Sequence, residues 1–134
     1  MKQAEIIDEL RFHAEMVAGH EEGYTPEFAV HGIYFGEGDP EQGGQHWNFT
    51  RSLGEDDDGV CTVKEIQEVT IYGGIINFTL TRQSLACEFD EDAAHSTMTR
   101  RLFITYEIDD ETWNSLVKQA KLIFEGESYF KLVL

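Results

Sequence analysis

Residues 69–90, VTIYGGIINFTLTRQSLACEFD, decide how this chain is read. Val69 and Ile71 share a face before a double glycine, and Ile76, Phe78 and Leu80 alternate after it. That period of two is the mark of β-strands with one buried side. Glycine tolerates positive φ and lets another backbone approach closely, so Gly73 and Gly74 predict a bulge or a sharp bend within the sheet. The TRQS that follows reads as a hairpin connection into LACEF, where Leu85, Cys87 and Phe89 share a face.

Short strands also extend toward the N-terminus. Residues 10–18 place Leu10, Phe12, Ala14, Met16 and Ala18 on one face, as in a single strand. FAVHGIYF at 28–35 is a second strand; a third carries Trp47, Phe49, Arg51 and Leu53, and a fourth is VCTVKEI at 60–66. The breaks between them, HEEGYTPE, GEGDPEQGGQ and GEDDDG, are glycine-rich and acidic, as turns of an antiparallel sheet are. Residues 2–9 suggest a short helix with Ile6, Ile7 and Leu10 inward. On the C-terminal side, DEDAAHST at 90–97 reads as an acidic loop and 99–108 as another strand.

Beyond residue 108 the period changes. Trp113, Leu116, Val117, Ala120, Ile123 and Phe124 recur at the spacing of an amphipathic helix. Asp109 or Asp110 caps its start, Glu111 favours its first turn and Gly126 suits its exit. SYFKLVL closes as a short strand or a tail packed on the sheet. The 134 residues therefore describe one domain, 1–134, of the α+β class. Its expected form is a mostly antiparallel curved β-sheet packed against one principal C-terminal helix.

Twenty-six acidic residues against ten basic ones give a formal net charge of −16. Such a chain is repelled by nucleic acid and by anionic membranes, while a basic protein is drawn to it. No apolar run is long enough to span a bilayer, and MKQAEIIDEL has no apolar core of a signal peptide. A cytoplasmic protein with Cys61 and Cys87 reduced is the expectation.

Catalytic signatures are absent from the sequence. His13, His20, His31, His46 and His95 stand in no HxH, HExxH or Cys/His spacing. His13 and His31 lie on strands that pairing would bring together. Cys61 and Cys87 sit among apolar or β-branched residues, as inert buried thiols do. GEGDPEQGG lacks the lysine and the strand-to-helix context of a phosphate cradle, and the acidic runs lack the alternating order of a calcium loop. No metal or other cofactor is expected.

The order FTRSL, a polar gap, YGGIINFTLTRQSL, an acidic strand and the helix DDETWNSLVKQAKLIF resembles the Imm10-type immunity proteins of bacterial polymorphic toxin systems. The matching residues are Arg51, Ser52 and Leu53; Tyr72, Gly73, Gly74 and Ile75; and Phe78, Leu80 and Leu85. The similarity spans roughly residues 45–125; residues 1–44 depart from it in length and glycine content. It implies a small β-rich cytosolic protein that binds and neutralises a cognate toxin, often a nuclease, with no catalytic residues to transfer. The candidate partner-binding residues are the acidic runs Glu55, Asp56, Asp57, Asp58 and Asp90, Glu91, Asp92, both read as loops. Trp47 or Tyr34 is the candidate aromatic centre. Two other readings stand beside this one: a small acidic accessory domain, and a small enzyme with a site assembled from dispersed His, Tyr and carboxylates.

Overall fold

The computed structural model describes residues 5–23, 29–54, 57–65 and 69–134. The elements run β1 (Ile7–His13), β2 (Met16–Glu22), β3 (Val30–Gly36), a 3-10 turn (Pro40–Gln42), β4 (His46–Ser52), β5 (Cys61–Lys64) and β6 (Val69–Tyr72). They continue β7 (Ile75–Leu80), β8 (Ser84–Phe89), α1 (Glu91–Thr97), β9 (Thr99–Thr105), α2 (Asp110–Ile123) and β10 (Phe130–Leu132). The class is α+β, and the strands form two mostly antiparallel sheets.

One sheet is a plain antiparallel meander, β2-β3-β4-β5-β6. The other is mixed, ordered β1-β9-β8-β7-β10, with β1 and β10 joining as parallel edge strands. The double glycine is a joint between them, since β6 ends the meander and the next strand, β7, lies in the mixed sheet. Both residues have positive φ, +72° at Gly73 and +85° at Gly74. A Cβ at Gly74 would lie 2.6 Å from the Ala93 Cβ, so α1 also requires a glycine there. The bend is thus a corner between two sheets. A register shift between Ile75 and Asn77 follows it, so Ile76 is exposed and does not share the buried face of Phe78 and Leu80.

Alternation places the two cores face to face. Ile33, Phe35, Trp47 and Phe49 of the meander meet Phe78, Leu80, Leu85, Phe89, Leu102 and Ile104 of the mixed sheet, all buried. Phe49 meets Phe78 edge-on at 5.1 Å, and Trp47 stacks on Phe89 at 6.0 Å. Helix α2 lies on the same inner side, chiefly against β2 and β3. Its Trp113, Leu116, Ala120 and Ile123 are buried, as the helical period predicts, and so is Phe124 just past its end. The Asp109 carboxylate accepts from the Thr112 N–H at 2.8 Å and caps the helix.

Three expectations are corrected. Residues 10–18 are two strands in different sheets: the Ala14 N–H donates to Thr105 O at 2.8 Å, and the next N–H, of Glu15, donates to Gly36 O at 2.8 Å. Met16, the next residue in the alternation, is consequently 61% exposed. Residues 7–9, read as helix, begin β1, while residues 1–4 lie outside the described residues. Residues 91–97, read as loop, form α1, because the Asp90 carboxylate caps it from the Ala93 N–H at 2.8 Å and Ala93, Ala94 and Thr97 are buried. Among the described residues no helix is long and apolar enough to cross a membrane.

Candidate functional site

The meander buries one face, and no described helix or strand packs over the other. The uncovered face carries His20 and Glu22 of β2, Val30 and Tyr34 of β3, Asn48 and Thr50 of β4, and Cys61 and Val63 of β5. Tyr72 of β6 follows at its end. Only two lysine or arginine side chains occur in the described strands of this sheet, Arg51 and Lys64, and both turn inward. Arg51 donates to the end of α2, and the Lys64 ammonium donates to Thr97 O at 2.8 Å beside the Trp47 ring. The mixed sheet, by contrast, carries Arg11, Arg100, Arg101 and Lys131. The outer meander face therefore has no lysine or arginine of its own among the described residues.

Three depressions lie in a row, each sharing a lining residue with the next, two on this face and the third at its edge beside α1. A trough of about 460 Å³ is lined by His20, Glu22, Val30, Tyr34, Asn48, Thr50 and Val63, with His46 and Trp47 below. Thr50 is also in the wall of a small hollow of about 60 Å³ with Asp58, Cys61 and Tyr72. Tyr72 in turn borders a third, of about 380 Å³, with Gly73, Gly74, Asp90, Asp92 and Ser96. Tyr72 is 63% exposed and stands between carboxylates of the two acidic runs.

The trough is shaped by glycine. A Cβ at Gly32 would collide with the His20 imidazole, and one at Gly36 with the Tyr34 hydroxyl. Without them the two rings lie along the sheet, and His20 Nε2 reaches Asn48 Oδ1 at 3.0 Å. His46 Nε2 lies 3.1 Å from Gly43 O, which can only accept, so that nitrogen carries a proton. In the neutral ring Nδ1 is then the acceptor for the Tyr34 hydroxyl, 2.6 Å away. Burial first, and the Glu65 charge second, push the Tyr34 hydroxyl above its ordinary pKa.

The candidate residues fare differently. Glu55 and Asp56 lie outside the described residues. Asp57 accepts from Arg51 Nε at 3.0 Å and from the Gly59 N–H at 2.9 Å, and Arg51 above all holds its carboxyl below the ordinary aspartate range. Asp58 is exposed beside Tyr72. Asp90 caps α1, so its run opens a helix. Glu91 pairs with Arg100 at 2.7 Å, which lowers its pKa, and Asp92 is exposed. Of the aromatic candidates, Trp47 is fully buried and Tyr34 is half-exposed in the trough.

His13 and His31 do not meet: His13 bonds Thr105 in the mixed sheet at 2.9 Å, and His31 bonds Gln119 of α2 at 2.7 Å. His20 and His46 instead share the trough, a grouping invisible in their spacing. Among the described residues no cluster of three or more His, Cys, Asp or Glu is placed to hold a metal ion. Cys61 and Cys87 are both free and buried. Burial pushes both thiols up, Cys87 strongly.

No protein-family model matches the chain, and neither a curated protein nor a solved structure matches it.

Proposed function

We propose that this chain is an immunity protein: it binds a cognate bacterial toxin of basic character, such as a nuclease, and neutralises it without catalysis. The observation that carries this reading is the row of three neighbouring depressions along the outer meander face and its edge beside α1. It joins two partly exposed tyrosines, Tyr34 and Tyr72, to carboxylates of both acidic runs, and no lysine or arginine from its own described strands interrupts it. Aromatic anchors inside a charged rim are the usual make-up of a protein interface, and an acidic field speeds the approach of a basic partner. The net charge of −16 and the resemblance of residues 45–125 to Imm10-type immunity proteins support it further.

Co-expression with the toxin domain encoded beside its gene is the direct test. Rescue of growth, with a stable complex that weakens when Tyr72 is replaced by Ala, is the expected result. Growth arrest despite full expression of the folded chain would sink the reading.

A second reading has one observation in its favour. Tyr34, His46, His20 and Glu22 gather at a trough large enough for a small molecule, as an enzyme site of dispersed His, Tyr and carboxylates would require. However, the Tyr34 hydroxyl has a raised pKa and donates to a histidine that is itself buried. That arrangement favours a fixed ring over an activated oxygen.

A further inference from the structure

We infer that the trough between His20 and Tyr34 is a socket for a guanidinium group, and that the basic partner inserts an arginine there. The inference rests on the binding role proposed for this face and names the chemistry at its centre.

Each wall suits that group. With the neutral His46 ring taking the Tyr34 proton, the tyrosine oxygen offers only lone pairs to the trough. Glu22, exposed at the end of β2, adds a carboxylate, and the Asn48 side-chain oxygen, shared with His20 Nε2 at 3.0 Å, lies in the same lining. The ring of Tyr34 presents a negative π-face to a cation. Val30 and Val63 give an apolar bed for the methylenes of an arginine stem. No lysine or arginine from the described meander strands competes for these acceptors, as both turn inward, and only His20 reaches one of them, Asn48 Oδ1. A flat, weakly hydrated, delocalised cation gains from stacking and from several acceptors at once, whereas an ammonium loses more hydration for fewer contacts.

The test uses the whole chain and three probes: N-acetyl-arginine amide, its neutral isostere N-acetyl-citrulline amide, and N-acetyl-lysine amide. In an NMR titration the arginine probe is expected to shift the resonances of Tyr34, Asn48 and Val63 saturably. It should bind about tenfold more tightly than the citrulline probe. Glu22→Gln, at an exposed position, should remove most of that difference while the rest of the spectrum stays unchanged. Shifts spread evenly over other exposed carboxylates, such as those of Asp110 and Glu111, would overturn the socket, as would equal binding of citrulline. Equal binding of the lysine probe would overturn the guanidinium assignment.

Failure of this inference and failure of the proposed function are separable. A chain that neutralises its toxin while the trough ignores the arginine probe loses only the socket. A trough that takes the probe in a chain that neutralises nothing loses only the toxin.

Discussion

Arg51 of β4 and Ile123, the last residue of α2, are tied by a hydrogen bond of 3.1 Å from the guanidinium to the main-chain carbonyl. The same Nη1 donates to Glu125 O at 3.0 Å, while Nε holds Asp57. A cation thus closes the negative end of the helix, and an aspartate from the β4–β5 connection holds the cation. Arg51→Ala leaves those carbonyls and Asp57 without this partner and should cost about 1–3 kcal/mol in urea unfolding. The pH dependence has a definite sign. Asp57 has a lowered folded pKa, so its contribution is present above the ordinary aspartate value and is lost as pH falls through the lowered one. Asp57→Asn should therefore lower the midpoint at neutral pH and flatten its decline below about pH 4. An unchanged acid slope would show that the pair does not contribute.

The two glycines of the joint should respond differently. Gly73 has positive φ, but a Cβ there would meet nothing within 4 Å, so Gly73→Asn should cost about 1 kcal/mol or less, since asparagine tolerates that conformation. Gly74 faces Ala93 and the Asp90 carboxylate, so Gly74→Asn adds a collision with α1 worth roughly 1–3 kcal/mol more. Thermal melts of both variants check the order.

Trp113, only 8% exposed on the inner side of α2, is a core residue. Trp113→Ala should destabilise by about 3–5 kcal/mol, as truncation of a buried aromatic does. A near-neutral melt would mean that this face is not core.

The thiols should be slow and unequal. Cys87 is 3% exposed on the inner face of the mixed sheet, where burial strongly favours the protonated form. Cys61 lies under Tyr72 on the outer face and carries a smaller upward shift. A thiol reagent should therefore label Cys61 first and reach Cys87 only through unfolding. Rapid labelling of native Cys87 contradicts this.

The acidic strip should act on the rate of encounter. Asp57 is committed to Arg51 and Asp90 to α1, so the informative pair is Asp58 and Asp92, both exposed. Replacing both by Asn should slow association with the proposed toxin partner and weaken its salt dependence, with dissociation changed less. If stopped-flow rates prove indifferent to salt and to both substitutions, the negative charge does not steer the partner.

Much of this architecture is legible in the amino-acid order, and the part that is not has identifiable causes. Helix α2 is readable because its apolar residues recur at the helical period and its cap is an aspartate. The joint is readable because two adjacent glycines inside a strand pattern have few other uses. The break at Ala14 is hidden because the alternation continues through it while the hydrogen-bond partner changes from β9 to β3. Helix α1 is hidden because seven mostly polar residues resemble a turn until Ala93 and Ala94 find Gly74 and the core. A second sheet cannot be inferred while the partner of His13 stands 92 residues away at Thr105. The trough depends on β3 lying between β2 and β4, which is how His20 and His46 come to share it. Arg51 and Asp57 reverse expectation for a related reason, since an acid in a surface run gives no sign that a helix end will claim its partner.

The way β1 joins its sheet sets an order of events during synthesis. By the time Tyr72 has left the ribosome, every strand of the meander exists and each can pair with a sequence neighbour through a short connection. The strand Ile7–His13 emerges before all of them, yet its partner in the sheet is β9, which ends at Thr105. Throughout that interval Leu10 and Phe12 have no sheet to cover, and a nascent segment of this kind is what chaperones retain. The strand made before the others is among the last to dock, so a pause in translation between β6 and β9 would prolong the stage most prone to aggregation.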